Sequence, residues 1–321
     1  MSGECSPIIN REHRRIGEAL IGYERLWGLK DAVKDKEVIE RLIRWAEQQP
    51  PVRAVLLTSS RAVPKAPVDV FSDYDVILAL LDVQPFYEDR TWLEAFGSVL
   101  ALYRDPLEPH YDCLQSGYVT QYENGLKIDF TLWPVEILQQ VVADPRLPDE
   151  FDAGYRVLLD KDGLTDGLKP PTYRAYIPTP PTETKYQDMV ELFFLDATYV
   201  AKYLWRDDLM AAKHLLDGSM KQEYLRPMLE WRMEIDQQWS VKPGPYGRGL
   251  KKWLRPDLWA GLENTYTGAG LEANWEAMFR TVALFRQVAI EVGDRLGYSY
   301  PRDLDRRAVA YLQKVKDLEH G

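Results

Sequence analysis

Apolar residues recur at helical spacing near the start of the chain. Residues 12–27 and 35–48 each place apolar side chains three or four positions apart, as with Leu42 and Trp45. A repeat of this kind predicts an amphipathic helix in each segment. The Gln-Pro-Pro run at 49–51 predicts the end of the second helix, because proline cannot continue a helix.

The pattern then changes to that of buried strands. Residues 52–58 and 74–81 are short, almost wholly apolar segments with β-branched residues, which predicts strands covered on both faces. Two further strands are predicted at 117–122 and 126–133. The intervening Asn-Gly pair predicts a hairpin turn with positive φ at both turn positions. Together these elements predict an α/β domain with a mixed β-sheet.

The middle of the chain is rich in proline, and the second half has a helical pattern. The stretch 147–184 has little periodicity, so we place a domain boundary within it. We predict a helical extension at 1–33, an α/β domain at 34–170 and an all-α helical-bundle domain at 171–321. The helices of the bundle are predicted at 190–204, 209–216, 225–239, 275–296 and 304–318.

Composition and charge exclude several classes of protein. The 321 residues are 45% hydrophobic and 28% charged, which is typical of globular proteins. A net charge of -10 has the wrong sign for general binding to nucleic acid. The longest apolar run, at 76–81, is far shorter than the roughly 20 residues that span a bilayer. We therefore predict a cytoplasmic protein with no nucleic-acid or membrane partner, and reduced thiols at Cys5 and Cys113.

The candidate chemistry begins with two aspartates at the start of the second predicted strand. Asp73 and Asp75 are two residues apart, so their carboxylates lie on the same face of a strand. Neighbouring carboxylates repel each other, and a divalent cation such as Mg²⁺ removes that repulsion. Asp129 lies on the polar face of a later strand that can pair beside this one. A cluster of three aspartates can hold two metal ions for a phosphoryl or nucleotidyl transfer.

A serine-rich turn follows the first predicted strand. Its sequence, Ser59-Ser60-Arg61, offers hydroxyl groups, backbone N–H groups and a guanidinium. Groups of this kind bind phosphate at the end of a buried strand. Ser59, Ser60 and Arg61 are therefore candidate ligands of a nucleotide triphosphate.

These residues carry a resemblance to a known family. A Ser-Ser pair, a spacer, Asp73-x-Asp75 and a distal Asp129 are similar to the pattern of the nucleotidyltransferase superfamily. The runs at 53–76, 127–132, 199–209 and 228–231 look more specifically like the aminoglycoside 6-adenylyltransferases, the streptomycin-modifying enzymes. The resemblance extends from about residue 34 to about residue 318.

The resemblance implies a nucleotidyltransferase domain followed by a helical domain that closes on the substrate and nucleotide. It implies transfer of AMP from ATP to an aminoglycoside hydroxyl with Mg²⁺, two ions being expected, and release of pyrophosphate. Asp73 and Asp75 would be metal ligands, and Asp129 either a third ligand or the base. Lys202 would be a cation for the triphosphate, unless it is only a solvated helix residue.

The helical domain also offers candidates for binding a cationic drug. Carboxylates and aromatic faces attract such a ligand, and the candidates are Trp205, Asp208, Glu230 and Trp231. A core-edge or helix-cap role for Trp205 and Asp208 stays open at this point.

One departure from the family pattern affects the nucleotide step. Ser59 stands where the family usually has glycine, which lets the backbone approach phosphate closely. Two alternatives therefore stay open: a nucleotidyltransferase with another small-molecule or protein acceptor, and a nucleotide-binding protein that has lost turnover. The sequence leaves the nucleotide preference and the oligomeric state undecided.

Overall fold

The structure is a computed structural model that describes residues 35–64, 66 and 68–319. Contacts between Cα atoms divide the chain into a first unit at residues 1–175 and a second unit at residues 176–321. The predicted helical extension at 1–33, with its helix at 12–27, lies outside the described residues, as does Cys5.

The first unit is a seven-stranded mixed sheet with short helices. Its strands are β1 (Val52–Thr58), β2 (Tyr74–Leu80), β3 (Val99–Arg104), β4 (Glu108–His110), β5 (Cys113–Tyr122), β6 (Lys127–Pro134) and β7 (Tyr155–Asp160). Its helices are α1 (Asp35–Glu47), α2 (Gln84–Glu88), α3 (Val135–Ala143) and α4 (Asp149–Asp152), with 3-10 turns at Ser59–Ala62 and Thr91–Phe96.

The strand order is β3-β5-β6-β2-β1-β7, with β4 paired to β5. Strands β2 and β6 run parallel, and the other pairs are antiparallel. The predicted α/β fold with a mixed sheet is confirmed. Strands β3, β4 and β7 were not predicted. They lie at the two ends of the strand order or off it, and none of their side chains is buried, so they lack the pattern of a strand covered on both faces.

Two apolar cores cover the two faces of this sheet. On one face, α1 packs Leu42 and Trp45 against side chains such as Val76 of β2. On the other face, α3 packs Ile137 and Leu138 against residues that include Ala79. Coverage on both faces explains why β1 and β2 read as continuous apolar runs.

The hairpin between β5 and β6 is confirmed, but its turn differs from the prediction. Gly125 has a φ of 85°, whereas Asn124 is not among the residues with positive φ. Instead, the Asn124 side-chain oxygen accepts a hydrogen bond from the Leu126 N–H at 3.0 Å. Asparagine thus stabilises this turn through its side chain rather than through a left-handed backbone.

The second unit is mostly helical, as predicted. Its helices are α5 (Glu183–Trp205), α6 (Leu209–Lys213), a π-helix (His214–Leu225), α7 (Arg226–Asp236), α8 (Leu250–Trp253), α9 (Pro256–Glu263), α10 (Leu271–Leu296) and α11 (Arg302–Lys316), with a 3-10 turn at Pro245–Gly247. The helix predicted at 209–216 stops being α-helical after Lys213. The chain continues as the π-helix, in which the buried Lys221 ammonium donates to Asp217 and to the Thr265 carbonyl.

Helices α5 and α10 form the centre of the second unit. The rings of Phe193 and Phe285 stack with centroids 3.7 Å apart. The Tyr186 hydroxyl donates to the Ala289 carbonyl at 2.8 Å. Gly293 lies beside this tyrosine, so the absence of a side chain there lets the two helices approach. Among the described residues, no helix is both long enough and apolar enough to cross a membrane.

We predict that Gly293→Ala destabilises the protein by about 1–3 kcal/mol through overpacking. A Cβ at this position would lie 2.8 Å from the Tyr186 hydroxyl and 2.9 Å from the Tyr298 carbonyl oxygen. Denaturant titration followed by circular dichroism measures the effect. Gly218→Ala is the control, since nothing lies within 4 Å of its Cβ. Equal unfolding midpoints for the two variants would contradict the packing argument.

Candidate active site

The parallel pairing of β2 with β6 brings two of the predicted aspartates together. Asp75 lies directly opposite Asp129 in the register, and Thr58 at the end of β1 lies opposite Asp75 on its other side. Asp73 precedes β2 by one residue. All three carboxylates therefore lie at one end of the central strands, next to the Ser59–Ala62 turn.

A lysine lies among these carboxylates. The Lys127 ammonium donates to Asp73 Oδ2 at 2.7 Å and to Asp129 Oδ2 at 2.8 Å. Lys127 and Asp129 are two residues apart on β6 and so share one face of the sheet. The ammonium links the residue before β2 to the start of β6.

The electrostatics of the site follow from this crowding. Burial, together with the negative charges of Asp129 and Asp73, raises the pKa of Asp75 to about 6, against a hydrogen bond from Ser59. Burial also raises the pKa of Asp129, although Lys127 opposes the shift. Burial lowers the pKa of Lys127, but its hydrogen bonds to Asp129 and Asp73 leave it above its usual value.

Ser59 adopts an unusual backbone conformation for serine. Its φ is 57°, in the left-handed region that favours glycine. Its side chain is hydrogen-bonded to Asp75, and Ser60 follows it in the same 3-10 turn. The residue that departs from the family pattern therefore lies where glycine would be the less strained choice.

Arg61 makes several contacts within the first unit, and its predicted role as a phosphate ligand stays a prediction. Its guanidinium donates to the carbonyl oxygens of Ser72, Asp73 and Asp69 at 2.7–3.2 Å. It also pairs with Asp35 and lies 3.9 Å over the Tyr74 ring. These contacts connect the loop before β2 to the turn after β1. Arg61 therefore holds the backbone that carries Asp73 in place.

The carboxylates have the chemistry that a divalent cation needs. Oxygen ligands of this kind suit Mg²⁺, and Asp129 Oδ1 is buried without a hydrogen-bond partner. Within residues 35–64, 66 and 68–319, however, no three Asp, Glu, His or Cys side chains are arranged to hold a metal ion. Lys127 instead occupies the space between Asp73 and Asp129.

Three of the other predicted residues lie where α5 ends and α6 begins, in the second unit. The Lys202 ammonium lies 4.0 Å over the Tyr199 ring. The Trp205 indole N–H donates to the Leu318 carbonyl at 3.0 Å. Asp208 is exposed and precedes α6, and its side chain makes no capping hydrogen bond.

The remaining two predicted residues lie on α7. Glu230 accepts a hydrogen bond from Arg226 at 2.7 Å, and burial raises the pKa of its carboxyl. Trp231 is only 5% exposed, with the Lys185 ammonium 5.7 Å from its ring. The ring of Trp231 thus belongs to the core of the second unit, and its predicted contact with a cationic drug stays a prediction.

The sequence is similar to known proteins over most of its length. Residues 33–315 match the family model described as streptomycin adenylyltransferase. The chain belongs to the streptomycin adenylyltransferase family. It is 29% identical to the aminoglycoside 6-adenylyltransferase of Campylobacter jejuni, over 83% of this chain and 91% of that protein. The enzyme of the same name from Bacillus subtilis is 29% identical, over 88% of this chain and 97% of that protein.

A crystal structure of an aminoglycoside 6-adenyltransferase from Bacillus subtilis shares 26% identity and covers 88% of this chain and 98% of that one, with a TM-score of 0.43. The family match confirms the resemblance drawn from Asp73-x-Asp75 and the flanking runs. It also confirms that this member of the family is a nucleotidyltransferase enzyme.

Lys127 is the site residue that the sequence analysis did not single out. Its signal is the alternation of β6, in which Lys127, Asp129 and Thr131 share the polar face. A basic residue two positions from a candidate aspartate points into the same space on a strand.

We predict that Ser59→Gly is more stable than Ser59→Ala by about 1 kcal/mol, because only glycine relieves the left-handed backbone. Both variants lose the hydroxyl that contacts Asp75, so their difference isolates the backbone effect. Denaturant titration measures it. An alanine variant at least as stable as the glycine variant would show that φ at Ser59 carries no strain.

We predict that Asp75→Asn stabilises the metal-free protein by about 1–3 kcal/mol at pH 8. The folded pKa of Asp75 is raised to about 6, above its unfolded value. Ionised Asp75 therefore destabilises the fold, and the destabilisation disappears as the pH falls from above 6 to below 4.

The measurement is urea unfolding at pH 8 and pH 4 in the presence of a chelator. Asp112→Asn, at an exposed loop position, is the control and should change stability little at either pH. If Asp75→Asn raises the free energy of unfolding equally at both pH values, the charge of Asp75 is not the cause.

Proposed function

We propose that the enzyme transfers AMP from ATP to a hydroxyl of a streptomycin-like aminoglycoside, with Mg²⁺, and releases pyrophosphate. The observation that carries the proposal is the pairing of Asp75 with Asp129 across the parallel strands, next to the Ser59–Ala62 turn. Membership of the streptomycin adenylyltransferase family and the names of the relatives support the choice of acceptor. A cytoplasmic location and the absence of nucleic-acid and membrane partners stay predictions.

In this reaction the acceptor oxygen forms a bond to the α-phosphorus as the bond to the β-phosphate oxygen breaks. Asp73 and Asp75 would hold Mg²⁺, with Asp129 available to a second ion, and the metal neutralises charge on the phosphate oxygens when bound. As an alternative role, Asp129 accepts the proton of the acceptor hydroxyl; its raised pKa favours that proton more than an ordinary aspartate does. Ser60 would bind the departing pyrophosphate, and Lys202 stays a predicted cation for the triphosphate.

Recognition of the acceptor would rest on charge. The chain carries a net charge of -10, and an aminoglycoside is cationic. Asp208 is exposed, Glu230 is half-buried beside Arg226, and Trp205 ends α5. We propose Trp205, Asp208 and Glu230 as contacts to the drug. The same role for Trp231 stays a prediction, although its ring is only 5% exposed.

Ser59 favours one rival function. A side chain at a left-handed position next to Asp75 occupies space that glycine leaves to a phosphate group. A protein with this obstacle would bind ATP without turning it over. A second rival keeps the chemistry but uses another small molecule or a protein side chain as the acceptor.

The test is pyrophosphate release from ATP and Mg²⁺ against a panel of aminoglycosides headed by streptomycin. Wild type should show release that depends on the drug. The double variant Asp73→Asn/Asp75→Asn should lose about a thousandfold or more in rate, because the charge that positions the metal is gone. Asp166→Asn, an exposed loop aspartate in the same unit, is the matched control and should retain activity.

Other outcomes of this assay distinguish the proposed function from its two rivals. If the protein binds ATP but releases no pyrophosphate with any aminoglycoside of the panel, the proposed function is contradicted. Release restored by Ser59→Gly would then favour lost turnover, and release with another acceptor would favour a different substrate.

A further inference from the structure

Lys127 joins two carboxylates that the proposed function assigns to metal binding. Its ammonium lies 2.7 Å from Asp73 Oδ2 and 2.8 Å from Asp129 Oδ2. The Lys127 side chain is 29% exposed, against 38% for Asp73 and 28% for Asp129. The three groups are partly shielded from water, so the ion pairs are stronger than those of freely exposed side chains.

The contacts are made to two of the carboxylates that the proposed function assigns to the metal ion. A Mg²⁺ ion binds carboxylate oxygen at about 2.0–2.1 Å and carries two positive charges. An ammonium hydrogen-bonded to the same carboxylate groups would repel this ion at short range. Lys127 in this position therefore opposes the binding of a metal ion to Asp73 or to Asp129.

The lysine side chain can also form and break its contacts with the carboxylates easily. Its ammonium is a compact charge on a flexible four-carbon stem, so it can withdraw from the carboxylates without movement of β6. Arg61 offers a contrast, since its planar guanidinium is held by several carbonyl oxygens and an aromatic ring. Of these two basic residues, Lys127 is the one that can leave its carboxylate partners.

We propose that Lys127 is a displaceable internal cation that holds Asp73 and Asp129 in the metal-free enzyme and competes with the divalent ion for them. The inference rests on the proposed function, because it takes these two aspartates as metal ligands. Lys127 is thus a positioning residue: it keeps the carboxylates close together before the metal arrives, and it weakens metal binding in the absence of nucleotide.

The experiment measures Mn²⁺ binding to the full chain without nucleotide, by calorimetry or electron paramagnetic resonance. Removing the ammonium in Lys127→Met should tighten Mn²⁺ binding about tenfold. Lys127→Arg keeps a cation beside the carboxylates and should bind Mn²⁺ as weakly as wild type. Lys36→Met changes the net charge equally at an exposed helix position and should leave the affinity unchanged.

A purely structural lysine predicts a different result. If Lys127 only stabilises the fold, Lys127→Met lowers the unfolding midpoint and binds Mn²⁺ no more tightly than wild type, and that result would overturn the inference. Mn²⁺ binding by wild type would still leave the proposed metal site standing. Absence of Mn²⁺ binding in wild type and variants, even with ATP, would instead remove both the metal site and the inference.

A measurement on wild type covers the case in which Lys127→Met does not fold. Acetylation by an amine-reactive reagent, resolved by mass spectrometry, reports how available each lysine is. Mn²⁺ should raise labelling of Lys127 about threefold or more while leaving Lys36 unchanged. Labelling of Lys127 that does not respond to Mn²⁺ would overturn the proposal.

Discussion

The parallel pairing of β2 with β6 is the constraint on which the candidate site depends. It places Asp75 opposite Asp129, although the two residues are far apart in the sequence. Asp73 and Lys127, which form an ion pair, are likewise 54 residues apart. A shift of one residue in this register would turn Asp129 away from Asp75 and into the apolar core. The cores on both faces of the sheet oppose that shift, because the apolar side chains of β2 and β6 pack in them.

The carboxylates are brought together at an electrostatic cost that the neighbouring residues reduce. Burial and mutual repulsion act against ionised Asp75 and Asp129, as their raised pKa values show. Lys127 offsets part of this repulsion, and Arg61 keeps the loop before β2 in place through its carbonyl oxygens. Such an arrangement prepares a site for an added positive charge, since a cation gains more where uncompensated negative charge is already held.

The second unit contributes a different kind of residue to the candidate function. Its core is built on the stacked rings of Phe193 and Phe285, and its polar candidates lie at helix ends or at the core boundary. Asp208 is exposed, whereas Trp231 belongs to the core. The exposed charge of Asp208 thus lies at a helix end, whereas the ring of Trp231 stabilises the packing of the helices.

The sequence by itself determined the elements with strong periodicity, the two-part division into α/β and helical halves, and the Asp-x-Asp pair with its distal aspartate. These are local properties of spacing and residue type. Only the tertiary structure decided that Lys127 lies between Asp73 and Asp129, that Arg61 binds loop carbonyls, and that Trp231 is buried. These outcomes depend on strand register and helix packing, which are set by contacts between distant segments and leave no periodic signal in the chain.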